Sequence, residues 1–442
     1  MLNENIICNF LKLSIEQLQA VIPPTYHSWN RLTIEREDNG YGISPSTRPN
    51  FSNILDTEGV YEYLLPVNDF AEILEKDARY KKIQHKYSIS SDVKGNFLNP
   101  YRILILLLKE YLCLIEYLKY EEQSAIQLAK SFLRFLDNSI LEMVVYSVVR
   151  GLECDFECYT LSPDIQLRKL TDDEIVQIIE RNDAFFQNDT LQINHRLLKN
   201  DNLVMNRCLL EQRLQIPINK QVQILTPTTR IFDEVITALR LLKEGRVERQ
   251  DTYMRPEYPG QLAVVNTHMG KINQRFPISQ TYALSETDMP ALIEILTAIK
   301  SGRIPVRLQT AVDRVNFAAE RDRADDRLLD LLIAMEALFG DSQGAIGYKI
   351  GLRCAVFVEN DYEKRSRITQ LINDAYSRRS ALVHGGKSKS MGTLRLTTDE
   401  IVKELLFLIQ KSTNLIIKRL LSGGNIPDGQ EFDKMLLQQA RN

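Results

Sequence analysis

The chain has 442 residues and a net charge of −3, from 55 Lys and Arg against 58 Asp and Glu. That balance excludes attraction to a polyanion over the whole surface, so nucleic-acid binding would need a local basic patch. Apolar residues make up 44%, ordinary for a globular chain with room for two or three domains. Six cysteines at irregular spacings and a start, Met1-Leu2-Asn3-Glu4-Asn5, without the basic residues of a secretory leader predict reduced thiols in the cytoplasm.

In chain order, residues 1–98 carry aromatic and proline punctuation (Pro23-Pro24, Trp29, Tyr41, Pro49) and predict short strands and loops. From Pro100 to Gly151 the pattern is helical, in segments 101–120 and 122–150, with Asp137-Asn138-Ser139 interrupting the second. The run Ile103 to Leu108 is too short to span a membrane before Lys109 and Glu110 intervene, so it predicts a buried helix. Alternation at Phe156, Cys158 and Thr160, then at 165–170, predicts strands. Thr171-Asp172-Asp173-Glu174 has the form of a capping box for a short helix through Arg181. Further strands are expected near 203–210, 221–226, 261–267 and 279–284, a helix at 231–245 and a loop at 246–260. After Asp288, which can cap, and Pro290, the chain is nearly all helical. Helices are predicted at 289–301, 306–321, 325–340, 346–358, 363–384 and 397–422. Thr397-Thr398-Asp399-Glu400 opens the last, Gly423-Gly424 ends it, and Phe432, Met435 and Leu436 mark an amphipathic turn in the tail.

The fifth of these helices ends in Tyr376-Ser377-Arg378-Arg379-Ser380-Ala381-Leu382-Val383-His384-Gly385-Gly386. Ile368, Leu371, Ile372, Ala375, Leu382 and Val383 form an apolar stripe with Arg379 inside it, so the guanidinium needs an anionic partner. The segment resembles the Arg-x4–6-His signature of the HEPN superfamily of small helical domains. Asp326 to Phe339 and Tyr348 to Ala355 resemble the preceding helices of its Apea-like branch, and the three blocks occur in order over about residues 305–420. The resemblance implies a metal-independent endoribonuclease acting on single-stranded RNA, without cofactor. It also implies homodimerisation through the HEPN domain and a role in abortive infection, with Arg379 and His384 catalytic.

On an ideal helix Arg379 and His384 are 5 × 100°, or about 140°, apart. Either the helix breaks before His384 or the site is composite. Cleavage through the 2′-hydroxyl needs a proton acceptor and a donor, which two histidines across a dimer could share. Glu336 follows Leu329 and Ile333 on an apolar face, which predicts an inward carboxylate paired with Arg353 or Arg379. It would either fix packing or orient Arg379 and tune His384. Arg378, a quarter-turn away, is expected to be solvated or to bind phosphate. Lys364, Arg365, Arg367, Lys387 and Lys389 join it in a basic surface that is either a solvated face or a phosphate track for RNA. Residues 314–327 read as an ion-paired exposed helix and turn.

Other chemistries lack their motifs. There is no Walker loop, Rossmann fingerprint or His-Glu-x-x-His, and Cys154-x3-Cys158 reads as two core thiols on one strand face and not as a metal site. His27, His85, His195 and His268 have no matching acid or nucleophile. The expected architecture is α+β and predominantly α: a mixed α/β region over 1–285, subdivided near 100 and 151, a HEPN-like helical bundle over 286–424, and a tail over 425–442. The first region would sense a phage or cellular trigger; no membrane partner is expected. The runner-up is a non-catalytic HEPN module that binds RNA or a protein. It is kept open by Ser380, where the superfamily often has Asn, Asp or His.

Overall fold

The computed structural model describes residues 2–21, 29–37, 40–50, 55, 64–84, 99–115, 117–138, 140–171, 208–217, 225–257, 282–302, 304–340, 346–383 and 393–439. The protein is predominantly helical with a small antiparallel sheet, and its carboxy-terminal region is helical. Two compact units form. One comprises Met1–Val149, Glu157–Thr229 and Gln250–Ile272; the other comprises Arg150–Phe156, Arg230–Arg249 and Asn273–Asn442. The second unit adds two earlier segments to a continuous stretch from Asn273, which includes the tail.

The first unit holds helices α1 (Glu4–Val21), α2 (Leu65–Lys76), α3 (Ala78–Gln84), α4 (Pro100–Leu114) and α5 (Glu122–Asn138). Among the described residues of 1–98, α1, α2 and α3 therefore differ from the expected strands and loops. α1 buries Ile7, Phe10, Leu11, Ile15 and Leu18, spaced three and four apart as a helix requires. Among the described residues there, β1 (Trp29–Glu37) and β2 (Gly40–Asn50), paired antiparallel, match the strand reading. Phe10 meets Phe70 of α2 with ring centroids 5.1 Å apart. Buried Ile103, Leu104, Leu107 and Leu108 confirm α4 as a core helix, and Asn99 caps it by accepting from Tyr101 N at 2.8 Å. Among the described residues no helix is long and apolar enough to cross a membrane.

The predicted helix 122–150 stops at Asn138, and β3 (Ile140–Arg150) takes its second half. β3 lies inside a five-stranded sheet with β5 (Cys158–Ser162), β6 (Ile165–Lys169), β7 (Cys208–Pro217) and β8 (Glu248–Pro256), in the order β5-β6-β7-β3-β8. Pairing of β3 with β7 and of β6 with β7 is antiparallel, with Val145 opposite Gln212 and Leu167 opposite Leu210. β3 is buried on both faces from Met143 through Val149, so it lacks the alternation that marks a half-exposed strand. β8 corrects the expected loop at 246–260. The strand expected at 221–226 is corrected at its end, where Leu225 opens helix α6 (Leu225–Leu242); its residues 221–224 lie outside those described. The predicted capping box at Thr171 and the strand at 261–267 run into residues outside those described.

In the second unit β4 (Leu152–Cys154) pairs in parallel with β9 (Tyr282–Leu284). The helices follow the sequence closely: α7 (Met289–Lys300), α8 (Val306–Glu320), α9 (Ala324–Phe339), α10 (Ile346–Val358), α11 (Tyr362–Val383) and α12 (Thr398–Leu421). Pro290 opens α7 as expected, but the Asp288 carboxylate turns back to Ser285 N, 2.9 Å away, and to Lys243 instead of capping α7. Thr397 and Glu400 form the capping box of α12, and Gly423, at φ +84°, ends it in the left-handed region where glycine is unstrained. α13 (Gly429–Gln439) docks Phe432 against Phe339 and Phe357, centroids 5.3 and 5.6 Å away. α10 and α11 approach closely because α10 offers Gly347 and Gly351 on one face. A Cβ at Gly347 would lie 3.0 Å from Tyr376 Cγ, and one at Gly351 3.3 Å from Thr369 Cγ2.

Candidate functional site

Glu336, near the end of α9, meets one of its two expected partners, Arg379. Arg379 Nη1 donates to Glu336 Oε1 at 2.5 Å, and the Tyr376 hydroxyl donates to the same oxygen at 3.1 Å. Tyr376 lies one turn before Arg379 on α11, so both side chains leave one helix face. The Arg379 guanidinium carbon lies 5.8 Å from the Tyr376 ring centroid, within cation–π range. Burial, followed by the charge of Glu336 and the bond to it, pushes the Tyr376 phenol well above its ordinary range and keeps it neutral. The close approach at Gly347 seats the ring.

The cluster is open on one side. Arg379 keeps 36% of its side-chain exposure and Glu336 29%, so the carboxylate is half-buried and not fully inward as the apolar face predicted. Arg379 Nε and Nη2 make no hydrogen bond among the described residues. Leu382 and Val383 are exposed at 40% and 62%, which removes them from the expected buried stripe, whereas Leu371, Ile372 and Ala375 are buried in it.

Arg353 is not a partner of Glu336. Its side chain is 5% exposed; Nη1 donates to Phe339 O at 3.1 Å, and Nε donates to Asp433 Oδ1 of α13 at 3.2 Å. Its role is to hold the end of α9 and the docked tail. Arg307 does similar work, donating to Ala337 O at 3.0 Å and Leu338 O at 2.6 Å, carbonyls that have no partner within the helix.

Arg378 is not a solvated arginine. Nη1 donates to Thr398 Oγ1 at 2.9 Å and Nη2 to Leu396 O. Buried Asp374, which the sequence reading passed over, accepts from Thr393 N at 3.0 Å and Leu394 N at 2.9 Å. Together they fasten 393–398 to the flank of α11. His384, Lys387 and Lys389 lie outside the described residues, as do His27, His85, His195 and His268. The remaining basic candidates are not gathered at the cluster. Arg367 is roughly 18 Å along α11 from Arg379 at about 1.5 Å per residue, and it is engaged by Glu404 through bonds of 2.8 and 2.6 Å. Lys364 is exposed and Arg365 half-buried at the start of the same helix.

The ion pairing expected over 314–327 is present, but its acid is buried: Asp330 of α9 receives Arg314 at 2.9 Å and Arg321 at 3.3 Å. Cys154 and Cys158 lie on separate strands, β4 and β5, half-buried and exposed, so they are neither on one strand face nor core thiols. None of the six cysteines forms a disulfide. No group of three or more metal-ligating side chains occurs among the described residues. Tyr376 is the member of the Glu336 cluster that the sequence did not single out; its one-turn spacing from Arg379 was the available signal. Set against known proteins, the chain matches no family model, no curated protein and no solved structure.

Proposed function

We propose that the second unit carries a HEPN-type, metal-independent endoribonuclease that cleaves single-stranded RNA in the cytoplasm. Its biological role would be abortive infection or a stress response, with residues 1–285 sensing a phage or cellular trigger. The observation that carries this reading is Arg379, held at 2.5 Å by Glu336 and braced by Tyr376 while a third of its side chain stays exposed. An oriented cation with N–H groups that have no partner among the described residues suits the charge that develops on a phosphate in flight. It stands near the end of α11, five residues before His384 in the sequence.

In this reaction His384 removes the 2′-hydroxyl proton as O2′ bonds to phosphorus. The P–O5′ bond breaks, leaving a 2′,3′-cyclic phosphate, and the departing 5′-oxygen is protonated by His384 of the second protomer in a homodimer. Arg379 neutralises the non-bridging oxygens. A second reading, a non-catalytic HEPN module that binds RNA or a protein, draws support from the same Glu336 contact, because a paired arginine also serves packing. One assay separates them. In EDTA, wild type degrades single-stranded RNA, Arg379→Ala and His384→Ala each lose at least ~100-fold of that rate, and excess His384→Ala poisons wild type by forming heterodimers. RNA binding without cleavage favours the second reading; full activity in both variants rejects the first.

A further inference from the structure

α12 has a second face that the ribonuclease reading does not use. Its residues Phe407, Lys411, Asn414 and Lys418 fall within about 60° of one another at 100° per residue, and Leu415 flanks them. They line a groove of about 310 Å³ against Leu242, Lys243 and Glu244 at the end of α6. The groove is held in shape by side-chain amides: Gln410 Nε2 donates to Arg240 O at 2.8 Å and Asn414 Nδ2 to Leu241 O at 3.4 Å. These carbonyls sit in the last turn of α6, where intrahelical partners run out, so the two helices are tied at the groove's floor.

The lining combines apolar surface with charge that is only partly spent. Phe407 is 58% exposed and Leu415 39%, so the groove offers apolar area to whatever enters it. Lys243 is held by Asp288, and Glu244 is paired with Lys403 at 3.3 Å. Lys411 is only loosely held, 3.7 Å from Glu359, and Lys418 has no ion-pair partner among the described residues. Lys411 and Lys418 are two turns apart on the same face, about 10 Å along the axis. An apolar wall beside two available ammonium groups fits a ligand with a flat apolar body and a negative group at one end. The volume is at the small end of ligand pockets, which suits a body of about two rings.

We propose that this groove binds a small aromatic anion, its rings against Phe407, Leu242 and Leu415 and its acidic group at Lys411 and Lys418. The probe is naphthalene-2-sulfonate, titrated by fluorescence and calorimetry into the full chain, with the uncharged naphthalene-2-sulfonamide as comparison. One equivalent of the sulfonate binds per chain, and the neutral analogue binds at least ~10-fold more weakly. Leu415→Glu and Lys418→Glu, both at exposed positions and checked for unchanged circular dichroism and melting, each weaken the sulfonate at least ~10-fold. No saturable binding by wild type, several equivalents per chain, equal affinity for the neutral analogue, or unchanged affinity in both variants would each overturn the proposal.

Discussion

The carboxy-terminal turns of α9 face two arginine-bearing neighbourhoods that use the cation in opposite ways. On the side of α10 and α13, Arg353 is enclosed and its donors end on Phe339 O and the Asp433 carboxylate. On the side of α11, Arg379 touches one carboxylate oxygen and keeps a third of its surface. The difference teaches that an arginine in an apolar helical pattern has two fates. Where backbone carbonyls at a helix end lack partners, it is consumed in satisfying them. Where a single carboxylate holds it near solvent, its orientation is fixed while donors stay available.

The sharpest way to break this comparison is to truncate both arginines and measure stability in denaturant. Arg353→Ala strands the Phe339 carbonyl and leaves a void at the Phe339–Phe357–Phe432 cluster, and is expected to cost on the order of 2–3 kcal/mol. Asp433, 58% exposed, rehydrates and adds little. Arg379→Ala is expected to cost about 1 kcal/mol or less, because its pair is screened by solvent. Equal losses would erase the distinction between the two neighbourhoods.

A smaller effect sharpens the second neighbourhood. Glu336→Gln keeps an acceptor for Arg379 and Tyr376, so its stability should fall by only about 0.5 kcal/mol relative to wild type, with Glu336→Ala near 1 kcal/mol. A loss of several kcal/mol in Glu336→Ala would mean the carboxylate is far more enclosed than its exposure indicates.

The smallest effect is one of pH. The Tyr376 phenol is raised in the folded state, so its contribution is constant below the unfolded tyrosine value, about 10. Above that the unfolded chain releases the proton while the folded chain keeps it, and stability falls with rising pH. Tyr376→Phe should therefore lose less stability than wild type between about pH 10 and 12, a difference read from melts at stepped pH. Parallel curves would show that the phenol is no better shielded folded than unfolded.

The helices of the second unit were legible because their signals are local. Thr397 and Glu400 mark one start, Gly423 one end, and the periodicity of α7 to α12 agrees with both. The first unit hid its architecture for two reasons. α1 spaces Ile7, Phe10, Leu11 and Ile15 as a helix should, but the prolines and aromatics that follow overshadow it. β3 is buried on both faces and carries no period-two pattern, so Val144, Val145, Val148 and Val149 read as a continuing helix. At the site, the Arg379–Glu336 contact was one of two predicted pairings, and it joins neighbouring helices. Arg353 and Asp433 are 80 positions apart, and no spacing rule connects them. The tether from Arg378 to Leu396 and Thr398 was equally silent, since it depends on where the chain returns after α11.

Gly347 has no functional group, yet the arrangement around Glu336 leans on it. A single methyl there would press on the Tyr376 ring at 3.0 Å, closer than carbon atoms rest comfortably. The ring would have to give by a few tenths of an ångström, stretching the 3.1 Å bond from its hydroxyl to Glu336 and shifting its face against Arg379. A chain with every charged and titratable residue intact could thus lose its poise through one carbon atom on the far side of a tyrosine, and a survey of polar positions alone would overlook the cause.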